Sequence, residues 1–157
     1  MLGFLRSTRH TDADLGEFTR KAGRWRGRIV LPPHGDVELS VAGGRGSPDG
    51  PSIEMARSLG ATYLALRAEI ESALFEHYQP GWEAWTSGEL EGMVDTFPEI
   101  TTASDVWSHV RVHRVDIDAA RSDFPVEIRI NSAWDVEHTL GVRLRGGSVE
   151  LCGSVGP

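Results

Sequence analysis

The chain has 157 residues, enough for one domain with a substantial core. Its 16 basic and 23 acidic residues give a net charge of −7, which disfavours a general nucleic-acid binder; such proteins need a basic footprint to displace counterions. The single cysteine, Cys152, excludes an intramolecular disulfide and a cysteine-built zinc cage.

No apolar run approaches the length of a membrane span, and Met1–Arg9 is too short and polar for a secretory signal. The expectation is a cytoplasmic protein that does not enter a membrane. Fifteen of the sixteen bases are Arg, a bias that a GC-rich genome produces without functional selection.

The N-terminus, Met1–Leu5, is apolar enough for a short strand. His10–Gly23 is polar and reads as a loop or a poor helix. Trp25–Leu31 and Val37–Val41 read as strands, joined by the turn Pro32-Pro33-His34-Gly35-Asp36 into a hairpin. Gly44–Gly50 follows. Its glycine spacing fits neither phosphate-binding fingerprint, and it reads as a flexible loop.

Pro51 opens a helix predicted to run to about His77. Met55, Ala56, Leu59, Tyr63, Leu66, Ile70 and Leu74 share one arc, with Glu54, Glu69 and Glu76 opposite. Arg67 and Glu71 are spaced to pair. Gln79-Pro80-Gly81 is expected to stop this helix, leaving Trp82–Phe97 as a loop with a short helix. Thr102 or Ser104 caps another short helix through Trp107.

Strands follow at Val110–Ile117, Val126–Asn131, Leu140–Arg145 and Val149–Leu151. The apolar phase of the first changes near Arg114, which predicts a bulge. Gly146-Gly147 makes the last two a hairpin, and 153–157 reads as a loose tail. The expected architecture is a single α+β domain over 1–157: a mostly antiparallel sheet of about six strands covered by one long amphipathic helix.

Charge is unevenly spread. Residues 1–31 carry seven bases and three acids, whereas 32–157 carry nine and twenty. From Ala68 to Val110 there are nine acids and no base. One reading is a solvated acidic face with a basic N-terminal strap folded onto it. The other is a docking surface for a basic protein, where the field raises the association rate. In that reading Trp82, Trp85, Glu89 and Glu91 are the binding residues; otherwise the two tryptophans anchor the core.

The densest polar cluster is Trp134-Asp135-Val136-Glu137-His138-Thr139-Leu140-Gly141-Val142. Asp135, Glu137 and His138 are suitable ligands for a divalent metal, or a general base with its orienting partner. His77, His109 and His113 can join them only through the fold. The structural alternative has Trp134 filling the core, Asp135 capping a turn, and Glu137 or His138 satisfying buried backbone groups.

The stretch Ile128–Val142, with W-D-x-E-H-x-L-G-V, resembles the C-terminal signature of an uncharacterised bacterial domain family. The resemblance implies a shared fold and brings no activity with it. There is no G-x-S-x-G nucleophile elbow, and Cys152 has no activating neighbour in sequence.

The first expectation is therefore a non-enzymatic domain that binds a basic protein through its acidic middle, with no cofactor. The alternative is a small divalent-metal-dependent hydrolase using Asp135, Glu137 and His138. A third class is a small-molecule binder in a sheet–helix cleft.

Overall fold

A computed structural model describes residues 8–156. Eight strands lie side by side in chain order: β1 (Arg9–Asp12), β2 (Gly16–Lys21), β3 (Arg24–Leu31), β4 (Gly35–Val41), β5 (Val110–Ile117), β6 (Val126–Ser132), β7 (Thr139–Arg145) and β8 (Ser148–Cys152). Every neighbouring pair is antiparallel except β4 and β5, which are parallel. A parallel pair cannot be closed by a hairpin. The connection here is α1 (Gly50–Ala65), α2 (Arg67–Thr86) and a 3₁₀ helix, Ala103–His109.

The expectation of about six strands under one long helix is thus corrected. β1 and β2 occupy the stretch read as loop. They were hidden because Phe18 is the one large apolar side chain in them, and charged residues are how sheet edges resist further pairing. The expected strand at Met1–Leu5 lies outside the described residues.

The single helix is two. Leu66 leaves helical geometry at φ −97° and ψ 4°, and its buried side chain stays in the apolar arc. The arc itself holds: Ala56, Leu59, Tyr63, Ile70 and Leu74 are buried as well. Pro80 does not end α2, which continues to Thr86. Pro80 is solvent-facing, and Gly81 admits the Phe97 ring; a Cβ there would lie 2.7 Å from Phe97 Cζ. Packing therefore overrides the local stop signal.

The strands alternate cleanly. Trp25, Ile29, Leu31, Leu39, Val115, Ile117, Ile128, Ile130, Leu140 and Val142 build one apolar core with the helices. The opposite face carries Arg26 paired with Glu38, Arg28 with Asp36, and Arg129 with Asp116. The 3₁₀ helix carries the expected cap: Thr102 and Asp105 satisfy each other's backbone in a capping box.

The bulge is present as well. Val112 pairs with Ile130 and Arg114 with Arg129, so His113 is the extra residue. Gly44–Gly50 is held rather than flexible: Gly43 bridges Pro48, and the Gly44 carbonyl accepts from Trp25 Nε1. Nor are residues 153–156 loose, because the Val155 amide donates to the Thr139 carbonyl at 2.9 Å.

Candidate functional site

Two regions concentrate polar groups that the core does not need. The first is the end of α2 and the segment after it. Tyr78 is buried, and its hydroxyl donates to the Pro98 carbonyl at 2.9 Å while accepting from the Ile100 amide at 3.0 Å. These two hydrogen bonds tie 98–100 back onto α2. Around it stacks an aromatic column: Tyr78 on Trp82 at 6.1 Å, Tyr78 on Phe97 at 5.8 Å, and Trp85 on Phe97 at 6.2 Å. Trp82 and Trp85 are half-buried members of this column, so they anchor as well as face outward.

Glu83, Glu89, Glu91, Asp95 and Glu99 are all exposed on this lobe. Met93 is 77% exposed and Val94 39%, giving the lobe an apolar tip. Among the described residues, only Glu71 of the nine acids between Ala68 and Val110 forms an ion pair, with Arg67 at 2.9 Å.

Among the described residues, the arginines of the basic N-terminal stretch do not pair with the lobe. Arg9 pairs with Glu17, Arg24 with Asp118, Arg26 with Glu38, and Arg28 with Asp36, all within the sheet and its connections.

The second region is W-D-x-E-H and the sheet face behind it. Trp134 packs edge-on against Tyr78 and donates from Nε1 to His77 Nδ1 at 3.1 Å. It thus fastens the β6–β7 connection to α2. Asp135 Oδ1 lies 2.8 Å from His138 Nδ1, closing the bend through side chains rather than capping its backbone. Ser132 Oγ accepts from the Asp135 amide.

Glu137 is exposed and stands outside the Asp135–His138 pair. Among the described residues, no group of three or more His, Cys, Asp or Glu is placed to hold a metal. Gly141 has a packing role: a Cβ there would lie 2.6 Å from Val155 Cγ1 and 3.3 Å from the Glu127 carboxyl. Val155 thereby packs over β7.

The same face carries an arginine–carboxylate lattice. Arg114 and Arg129 are register partners, and both reach Asp116, at 3.1 and 2.7 Å. Arg143 takes Glu127 at 2.9 Å, and the Glu127 side chain is almost wholly buried. Both arginines of the Asp116 pair line a cavity of about 420 Å³, together with His113, Glu137, His138 and Thr139.

The His113 imidazole is held below its ordinary value by burial first, then by Arg114 and Arg129. Sequence reading located the bulge but not this cavity, because it assembles from β5, β6, the β6–β7 bend and residues 154–156.

A third cluster joins the β3–β4 turn to the helices. His34 contacts Tyr63, and Trp107 donates to Glu71, which also accepts from Arg67. The Glu71 carboxyl is pushed up by burial, but the bonds from Trp107 and Arg67 leave it net below its ordinary value.

Comparison adds the lineage. No curated protein and no solved structure matches the chain. A family model described as Domain of unknown function (DUF6985) matches residues 14–156, nearly the whole described structure and the W-D-x-E-H segment with it. By that match over most of its length, the chain belongs to the DUF6985 family of domains of unknown function.

Proposed function

We propose that the protein is a non-enzymatic cytoplasmic binding domain that docks a basic protein on the acidic lobe at the end of α2. One observation carries the reading. Acids from Glu69 to Glu99 other than Glu71 have no cation within ion-pair distance among the described residues, whereas acids on the sheet are extensively paired. Uncompensated like charge disfavours the compact state, and a basic partner removes that cost while gaining association rate.

The surface also has the anatomy of an interface. Met93 and Val94 supply an apolar centre, Glu89 and Glu91 a charged rim, and the Trp82–Phe97–Trp85 stack a rigid base. Pre-ordered aromatics lose little freedom on binding.

The test is affinity capture from the native cell with three forms of the full chain: wild type, Glu89→Lys/Glu91→Lys and Trp85→Ala. The expected result is a basic protein held by the wild type in stoichiometric amount. It is lost by the charge-reversed form and weakened as salt rises through about 0.15 M, where the Debye length is about 8 Å. A partner retained equally by the charge-reversed form overturns the reading.

A further inference from the structure

Over its second half, β3 has a neighbouring strand on one side only. We infer that this edge docks an extended, positively charged peptide segment of another protein, which adds a strand to the sheet in the groove between β3 and α1. The site lies apart from the acidic lobe and does not depend on it.

The first observation is register. β4 pairs with β3 along the whole of Trp25–Leu31, but β2 pairs with it only from Arg24 to Arg26. Beyond Arg26 the β1–β2 hairpin leaves β3. The Phe18 ring fills the space where a Gly27 Cβ would stand, and Asp12 reaches Arg57 on α1 at 2.6 Å. Among the described residues, no other strand takes that side of β3.

Alternation decides which groups face the gap. The Leu31 carbonyl accepts from the His34 amide at the β3–β4 turn, so Leu31 and Ile29 direct their backbone groups to β4. Arg24 closes a two-residue turn with Lys21, so the even positions face the other way. Arg28 and Val30 therefore present their N–H and C=O groups to the gap. Proteins ordinarily blunt such an edge. Here Val30 is 67% exposed, and Arg28 is drawn toward β4 by Asp36 at 2.8 Å.

The gap is a groove. A cavity of about 580 Å³ runs along this edge, and Leu15, Ile29, Val30, Ala56 and Gly60 supply its apolar lining. Gly60 is the second observation. Glycine inside a helix costs stability relative to alanine. A Cβ on Gly60 would meet nothing within 4 Å, so the chain's own packing does not call for glycine there. Its missing side chain leaves room for the close approach of another backbone.

Charge selects the occupant. On the α1 side, Arg57 faces the carboxylates of Asp12, Asp14 and Glu54, three negative charges against one positive. On the β3 side, Arg28 and Asp36 balance each other. The added strand thus carries Lys or Arg, with aliphatic side chains at alternate positions toward Ile29 and Ala56.

Random heptapeptides displayed on phage and selected on the full chain supply the probe, and titration calorimetry measures the leading peptide. The selected sequences are expected to be rich in Lys, Arg and β-branched residues and poor in Asp and Glu. N-methylation of one alternate set of amides is expected to abolish binding and of the other set to spare it, because only every second residue bonds the edge. Gly60→Leu fills the groove while improving helix propensity; it is expected to fold and to weaken binding about tenfold or more. Val30→Pro removes an N–H that faces the gap and spares the β3–β4 ladder, and is expected to weaken binding likewise. Glu89→Lys/Glu91→Lys is expected to bind as wild type does, which separates this site from the lobe.

Failure to select a saturable peptide overturns the inference. So does full binding in Gly60→Leu, or equal tolerance of both N-methylated sets. A dimer that Val30→Pro dissolves and the peptide cannot enter assigns the edge to a second copy. Binding that appears only in Leu2→Ser/Phe4→Ser/Leu5→Ser assigns the groove to the chain's own N-terminus. Either result overturns the partner named here.

Discussion

The Tyr63 hydroxyl lies 2.6 Å from His34 Nε2, joining the last turn of α1 to the β3–β4 turn. Trp107 closes the group from the 3₁₀ helix, its ring 5.0 Å from that of His34 and 6.1 Å from that of Tyr63. One contact therefore locks the crossover helices against the first half of the sheet. Burial holds the tyrosine above its ordinary value, and burial, then Arg67, holds the histidine below its own.

This arrangement makes stability depend on pH with a definite sign. The unfolded chain takes up the His34 proton near 6.5, but the folded chain resists until a lower pH. Stability is therefore complete above about pH 6.5 and falls as pH drops toward the folded value, by at most about 1.4 kcal/mol per pH unit for one group. Urea melts between pH 7.5 and 5.5 are expected to show this loss, with a smaller loss in His34→Gln. His113 shifts in the same direction, so part of the loss persists in that variant. At pH 7.5, Tyr63→Phe is expected to cost about 1–3 kcal/mol, because His34 Nε2 loses its partner.

Neighbouring residues in α2 are expected to respond in opposite senses. Pro80→Ala restores a backbone N–H and removes a ring clash in an exposed helix interior, and is expected to stabilise by about 1–3 kcal/mol. Gly81→Ala improves helix propensity by about 1 kcal/mol, yet its Cβ would meet Phe97 at 2.7 Å and is expected to destabilise overall. Thermal melts of both variants check the signs. In Gly81→Ala/Phe97→Leu the clash is relieved, so the double variant is expected to recover part of the loss.

The glycine of W-D-x-E-H-x-L-G is expected to be a packing residue. Gly141→Ala drives a methyl group into Val155 and toward the Glu127 carboxyl, and is expected to cost about 1–3 kcal/mol. Val155→Ala in the same chain makes room and is expected to return much of it. A double-mutant cycle measures the coupling. A zero coupling energy shows that residues 153–156 do not pack on β7 in solution.

Patterns of local period were readable from the residues alone. Alternation in β3 to β8, the apolar arc through Leu59, Tyr63, Ile70 and Leu74 and the phase change near Arg114 follow from side-chain periodicity, and a cap at Thr102 or Ser104 from residue type, all of them local signals that tertiary contacts preserve. So did the family resemblance, carried by a short run of adjacent residues.

Whatever depended on distant partners was decided by the tertiary structure. β1 and β2 have too little apolar content to announce themselves; β3 offers β2 a ladder, and β2 in turn offers one to β1. Pro80-Gly81 reads as a stop until Phe97 and Trp82 give the helix a reason to continue. An extended strand puts Asp135 and His138 on opposite sides; a bend brings them to 2.8 Å and leaves Glu137 apart. The Arg114–Arg129 face needed the register of β5 on β6, which no spacing within either strand encodes. Local sequence sets the phase of each element, but pairing energy between elements selects which charges meet.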